Sequence, residues 1–488
     1  MSLKSFGQNA AIYSIGTIAL RFTSFLLIPL YTQYLTKGEF GLLQTLLFTI
    51  QIIITFNDVG MRTAVMRFFS DYEKENNISE LLFSSFGVNI FVGILFLISA
   101  AFIPDSSISA LFNTETIPNI IFFTVLVGVT QTLSITVLSY FRARNEGLKF
   151  MFISFGTAIL LITSITIALV VYDLGIIGVL YAQAFTFLIM WLAVLFFILL
   201  KHGLKFRLAT FNKLFLFGFP LIFAMSGDLI INTSGNYFLG HFRSLEEVGA
   251  FALAYKIASI SIMILIGPFQ MAFEPYIFSN QDKDDLSNTI AKIVTYVTLI
   301  YVIISYGIIF VFKDLIDIIG QSLYNDSYVL IFLMLPGIGF TVLNYVGQSL
   351  IHMNNKTKST GLIIFVSTFI SLALSYFLTN LYGVYGLIFV INFYITGSSI
   401  ALFYFGNKEY PVKLEYGRLF IISLIGIILF IIVYVLSFEN NYIYYSISLL
   451  LPSLILFLLY KSKFFTNEEK IKFTNLVGNI KTKISILN

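Results

Sequence analysis

No cysteine occurs among the 488 residues, which excludes disulfides, thiolate metal sites and cysteine nucleophiles. Histidine is almost as scarce: His202, His241 and His352 lie far apart and make no metal-ligand spacing. Charged residues are only 11% of the chain, against about 25% in a soluble domain. The net charge of +4 is too small to point to a nucleic-acid partner. No phosphate-binding loop, nucleophile elbow or carboxylate pair stands in a workable context, so the chain is not expected to be an enzyme or to need a cofactor. Without an ATP-binding domain, any transport would be secondary.

What the chain has in abundance is apolar sequence. Hydrophobic residues make up 58% and the mean hydropathy is +0.91. They come in blocks of about 20 residues, the length that crosses a bilayer. The fold class expected is an all-α integral membrane protein of about fourteen transmembrane helices. The spans read as 9–34, 40–57, 81–103, 117–141, 148–172, 175–200, 214–239, 247–271, 289–312, 328–352, 358–381, 383–406, 418–437 and 441–460. The first is too long for a signal peptide and lacks a small-residue cleavage site, so it is expected to stay. The longest connections are 58–80 and 272–288, and neither holds a separate domain.

Basic residues orient the spans. With the N-terminus in the cytoplasm, 24 of the 29 Lys and Arg fall in cytoplasmic segments or helix ends. Three fall outside: Lys37, Arg243 and Lys313. Arg21 and Lys256 lie within spans. Both termini are therefore expected in the cytoplasm, in a bacterial cytoplasmic (inner) membrane.

A single offset of 208 relates two pairs of motifs. Glu39-Phe40-Gly41 recurs as Glu247-Val248-Gly249, and Leu174-Gly175-Ile176-Ile177-Gly178 recurs as Tyr382-Gly383-Val384-Tyr385-Gly386. Spans one to six would then repeat as seven to twelve, in the same orientation, about an axis along the membrane normal. The expected organisation is a six-helix unit 1–208, its repeat 209–416, two further helices in 417–460, and a basic tail 461–488. The tail alternates lysine with apolar residues, a pattern that suits an interfacial segment.

Charged and polar side chains inside spans mark the candidate site, because each costs at least about 2.5–3.5 kcal/mol in lipid without a cavity or partner. Arg21, Asp228 and Lys256 lie in spans one, seven and eight. Helical spacing aligns Gln44, Gln51 and Asp58 on span two, and Asp228, Asn232, Gly235 and Asn236 on span seven. It aligns Lys256, Ser259, Gly267, Gln270 and Glu274 on span eight, and Asn344, Gln348 and His352 on span ten. These stripes suggest a wet cavity between the two halves. Two accounts of the charges stand side by side. Arg21 and Asp228 can form a structural ion pair, since position 228 adjoins the repeat counterpart of Arg21. Alternatively, Arg21 and Lys256 form a cationic site, with Asp228 tuning it or taking a coupling ion. Arg62, Arg67 and Glu274 are candidates for a cytoplasmic gate or interface, and Pro220, Pro268, Pro275 and Pro336 for helix kinks.

Several stretches together resemble a known family. They are Gly7-Gln8-Asn9-Ala10 leading into a span that carries Arg21 and ends Ile28-Pro29-Leu30-Tyr31; Glu39-Phe40-Gly41; Asp58-Val59-Gly60 through Ala64 to Arg67-Phe68-Phe69; and Leu253-Ala254-Tyr255-Lys256-Ile257. They are similar to the Wzx-type polysaccharide-unit flippases, the O-antigen and capsule exporters of the MOP superfamily, which also contains MATE drug exporters and lipid II flippases. The resemblance implies two six-helix lobes with alternating access and a polyprenyl-pyrophosphate-linked oligosaccharide as substrate. Its implied partners are membrane lipids and the polymerase and glycosyltransferases of polysaccharide assembly. It also implies a cationic cavity, which Arg21 and Lys256 match and Asp228 departs from, leaving H+, Na+ or no coupling ion open. A drug or cation exporter would call for a net acidic cavity. A membrane-embedded glycosyltransferase or polymerase would call for catalytic carboxylates and a larger outer loop than 104–116.

The orientation is testable with reporter fusions after Asn488 and within 104–116. A cytoplasmic reporter should be active at the C-terminus and a periplasmic one in the loop. The reverse pattern overturns the topology.

Overall fold

The computed structural model describes residues 16, 19–20, 22–112, 114–281, 285–320, 325–354, 356–436, 441–461, 464–466 and 469. The elements among them are helices: α1 (Ile28–Tyr34), α2 (Lys37–Asp58), α3 (Met61–Lys74), α4 (Ile78–Phe102), α5 (Ser106–Phe112), α6 (Ile120–Ala143), α7 (Gly147–Thr166), α8 (Gly175–His202), α9 (Leu208–Phe242), α10 (Leu245–Ala258), α11 (Gly267–Ser279), α12 (Leu286–Gly320), α13 (Asn325–Gly339), α14 (Thr341–Met353), α15 (Thr357–Glu409), α16 (Tyr416–Leu436) and α17 (Asn441–Lys461). In lipid a backbone must satisfy its own N–H and C=O groups, and a helix does so within one segment.

Eleven described helices are long and apolar enough to cross a membrane. One of them, Lys358–Glu409, has 52 residues and would reach about 78 Å if straight. It is two spans, because Gly383 interrupts it with φ 60° and ψ −137°. With α9, 35 residues long, and the segment ending in α1, the architecture is the expected one of about fourteen transmembrane helices. Large apolar side chains face outward, Phe102, Phe369 and Leu200 among them. In water such a surface would aggregate, whereas in lipid it meets its own solvent.

The connections differ from expectation in two places. Segment 58–80 is largely helical: after a left-handed break at Val59 and Gly60 (φ 45° and 68°), α3 runs on to Lys74. Segment 272–288 begins as the end of α11. Both stretches are polar enough to read as loops, yet one face of each is buried. In α3 that face is Met61, Ala64, Val65, Phe69 and Tyr72.

Two of the four prolines fall where spans are irregular, while Pro220 and Pro275 lie inside the helices α9 and α11. Pro268 has no N–H to donate, and just before it the chain makes a π-turn, Ile262–Ile266. Pro336 lies one turn before the break at Phe340 that separates α13 from α14.

Several local features recur at the interval of 208. Thr36 and Ser244 cap α2 and α10, each side chain accepting the N–H of the Glu three residues on, Glu39 and Glu247. The Thr36 cap is reciprocal, with its N–H donating to Glu39 Oε2 at 2.9 Å. Gly175 and Gly383 both take φ near +60°, which an L side chain resists, and both start spans. Glu247 accepts the N–H of Val384 at 3.2 Å, so a recurring acid supports a recurring turn. Ser79 Oγ donates to Gly203 O at 2.7 Å and Ser287 Oγ to Pro411 O at 2.9 Å, pinning the straps 203–207 and 410–415 alike.

A close backbone approach joins α2 to α10. A β-carbon built on Gly41 would lie 1.8 Å from the Leu245 carbonyl oxygen, and one on Gly249 would lie 2.7 Å from that of Lys37. Positions 37 and 245, and 41 and 249, are each 208 apart, so the crossing is reciprocal. Helices in lipid associate by such packing, and small residues let their backbones meet.

At the other end of the chain, Arg418 forms a bidentate pair with Glu469 at 3.2 and 3.1 Å. Burial pushes the Glu469 carboxyl up, but Arg418 and the Thr466 N–H more than offset this and bring it down to about 2. The tie therefore holds at neutral pH and is lost only as pH falls below the ordinary carboxylate range towards that value.

Gly41→Ala should destabilise the protein by about 1–3 kcal/mol, because the backbone it meets must move. Gly307 has nothing within 4 Å of a β-carbon, so Gly307→Ala should be neutral or stabilising by up to about 1 kcal/mol. Thermal unfolding in detergent compares them; equal behaviour would discount the crossing.

Candidate translocation site

The site is built where α2, α9 and α10 meet. Thr49 Oγ1 on α2 and Tyr237 Oη on α9 form a short hydrogen bond. Tyr237 also stacks on Phe112, with centroids 6.0 Å apart. A pocket of about 70 Å³ beside them is lined by Thr45, Thr49, Thr124 and Tyr237 together with apolar side chains. Near its other end α9 meets the break between α2 and α3, where a β-carbon on Gly218 would lie 1.8 Å from the Val59 carbonyl oxygen. The helix thus touches the first six-helix segment at two separated levels.

Of the residues predicted from sequence, Arg21 and the side chains of Asp228 and Asn232 lie outside the described residues. Lys256 is half-buried on α10, with Nζ 6.0 Å from the centre of the Phe40 ring. No carboxylate among the described residues pairs with it. Asn236 is fully buried, and neither amide atom has a partner among the described residues. A buried amide left so is costly unless water or a ligand reaches it.

The span-two stripe does not hold as one wet face. Gln51 is exposed, but Gln44 and Asp58 are 1% and 2% exposed. The spacing is right, but the neighbours change with depth. Gln44 lies one turn from the Gly41 crossing, and Asp58 sits at the helix break against α4. There Asn89 Nδ2 donates to the carbonyls of Asn57 and Asp58 at 2.8 and 3.2 Å. Asp58 in turn holds Arg62, whose Nε lies 3.1 Å from Oδ2. Arg67 is exposed on α3, and its guanidinium is 5.8 Å from the Phe68 ring centre.

The stripes on spans eight and ten meet towards one end. Lys256, Ser259, Gly267, Gln270 and Glu274 are each half-buried, although the π-turn falls between the second and third. Gln348 donates to Asn344 through a short hydrogen bond, and Asn344 donates to Ser398 at 3.3 Å. Glu274 Oε1 accepts from Ser349 Oγ at 3.4 Å and lies 3.5 Å from His352 Nδ1. These contacts bring Glu274, Ser349 and His352 together and leave Gln270 outside the group. Among the described residues no three His, Asp or Glu are placed to hold a metal ion.

Sequence reasoning missed Thr49, Tyr237 and Lys213. None of them breaks a sequence rule, and their importance lies in partners from distant helices. Lys213, at the start of α9, places Nζ 4.5 Å from the Phe68 ring centre and 5.5 Å from that of Tyr72. A second cleft, of about 610 Å³, lies between α16 and α17 and is mostly apolar, with Arg418 and Phe464 on its wall. None of the predicted site residues lines it.

Residues 6–281 match the family model described as polysaccharide biosynthesis protein. The chain belongs to that family. A protein of Haemophilus influenzae described as an uncharacterized membrane protein is 24% identical over 413 residues, covering 80% of this chain and 93% of that one. The fold is shared with solved membrane transporters. The lipid II flippase MurJ, in an inward closed conformation, superposes with a TM-score of 0.74 at 14% identity, over 96% of this chain and 100% of that one. An inward-facing multidrug resistance MATE transporter superposes with a TM-score of 0.63 at 14% identity, over 81% of this chain and 94% of that one. The family resemblance read from the sequence is thereby borne out.

Because the chain has no cysteine, Thr49→Cys with Tyr237→Cys can be cross-linked without background. A short bismaleimide should join the two in most molecules at rest and hold α2 against α9 there. Absence of cross-linking in folded protein would mean that this closure is not the resting state.

Proposed function

We propose that this protein is a secondary transporter that flips a polyprenyl-pyrophosphate-linked oligosaccharide repeat unit across the cytoplasmic membrane for cell-surface polysaccharide synthesis. The family match over 6–281 carries this reading, supported by a fold shared with a lipid II flippase over nearly the whole chain. In this reading the units 1–208 and 209–416 are lobes that alternately part at either end, both termini are cytoplasmic, and 461–488 lies along the inner surface.

Chemistry assigns the roles. A pyrophosphate is compact and carries more than one negative charge. Arg21 offers it a planar fork and Lys256 a point charge. Asn232, Asn236, Gln51, Gln270, Asn344 and Gln348 supply amide groups for sugar hydroxyls, and the polyprenyl tail stays in lipid. Asp228 either pairs with Arg21 or takes a coupling ion. A drug or cation exporter accounts less well for the chain. The MATE transporter covers 81% of it against 96% for the flippase, and Lys256 contributes a half-buried cation where such an exporter wants acids.

Arg21→Ala and Lys256→Ala should each reach normal membrane levels and lower polymer export about tenfold or more. Wild-type export by both would overturn the cationic site. Recovery of Arg21→Ala by an added Asp228→Ala would make the ion pair the better account of Arg21.

A further inference from the structure

The structure places two cations on one aromatic ring where α3 and α9 cross. Lys213 Nζ is 4.5 Å and Arg67 Cζ 5.8 Å from the Phe68 centroid, so no more than about 10 Å separates the two charged groups. The ring is fixed from below by Phe217 at 5.1 Å, in an edge contact. Beside it, Tyr72 is anchored by a 3.2 Å hydrogen bond between its hydroxyl and Thr210. Both cations are exposed.

Neither has an acidic partner among the described residues, whereas many cations at the same end of the helices do. Arg62 has Asp58, Arg144 and Lys149 have Glu146, Lys205 has Glu80, and Lys356 has Glu409. Two cations gathered on one ring with no acid between them leave room for an anion that joins them. The ring attracts the cations through its face and leaves their N–H donors free for such an anion.

Depth narrows the occupant. A span of about 20 residues starting at Lys37 ends near Asn57, and Phe68 lies about three turns further along the chain. Arg67 thus lies past the end of its span and Lys213 in the first two turns of α9, so both cations belong to the end of the helices and not to their middle. Arg67 and Lys213 also belong to different six-helix units, so an anion held by both sits at the mouth between them.

We propose that Arg67 and Lys213, organised by Phe68, form a phosphate-binding site at the cytoplasmic mouth, and that its occupant is the pyrophosphate of the lipid-linked substrate before it passes between the lobes. This rests on the proposed flippase function and adds a docking step at a site separate from Arg21 and Lys256. Arg67 and Lys213 contact the substrate; Phe68 is a positioning residue.

The test uses full-length protein in nanodiscs of neutral phosphatidylcholine, titrated with undecaprenyl pyrophosphate and, separately, undecaprenol. Wild type should prefer the pyrophosphate. Arg67→Gln with Lys213→Gln should weaken its binding about tenfold and leave undecaprenol unchanged, while Arg67→Lys with Lys213→Arg should restore most of the loss. Phe68→Leu should weaken binding less than the double neutralisation. A wild type that does not distinguish the two lipids overturns the flippase reading itself. A wild type that does, with a double Gln variant that binds as tightly, overturns this site alone. In nanodiscs containing phosphatidylglycerol, full competition at an equal mole fraction would show a general anionic-lipid site and overturn the substrate assignment.

Discussion

Everything in this molecule hangs on one backbone contact, the crossing of α2 and α10 at Gly41 and Gly249. In lipid the hydrophobic effect does not press helices together, so a pair must gain its attraction from fit. Here the fit is close enough that neither position has room for a methyl group. Each partner is held at its start by a hydroxyl cap, and Glu247 extends that order to the turn at Gly383. The recurring acid and glycine of the two motifs are thus two ends of one arrangement. The acid orders the helix start and the glycine lets the two helices touch.

Much of this was legible in the chain. Apolar block length and the scarcity of charge gave the spans, since lipid tolerates few alternatives to a helix. The spacing of Glu39, Gly41 and Gly175 against Glu247, Gly249 and Gly383 gave the interval, because a glycine that must take positive φ or admit a neighbouring backbone cannot drift to another type. The continuation of α2 into α3 was not legible. Val59-Gly60 reads as a stop, and only the packing of Met61, Ala64 and Phe69 turns the following polar stretch into a helix.

The site was legible in part, and for a similar reason. A charge within a span announces itself by its cost, so Lys256 stands out without any structure. The faces of Gln44 and Asp58 were misjudged because helical spacing says which residues share a side, not what lies opposite. Tyr237 and Lys213 are unremarkable in sequence: a tyrosine near a helix end, a lysine on the basic side. Their partners Thr49 and Phe68 are more than a hundred residues away, and only the crossing of α9 over α2 and α3 brings them together.

The α2–α10 crossing also has a consequence for how the protein senses its surroundings. Near it lies a weak ion pair, Lys37 with Asp326 at 3.6 Å, and Asp326 is 82% exposed. Such a pair contributes little and is screened by salt. The meeting of the two backbones is therefore chiefly a matter of shape. The backbone contact carries no net charge of its own, so ionic strength leaves it unchanged. The opposite end carries the pairs Arg62–Asp58, Arg144–Glu146, Lys205–Glu80 and Lys356–Glu409, so salt acts unequally on the two ends of the bundle.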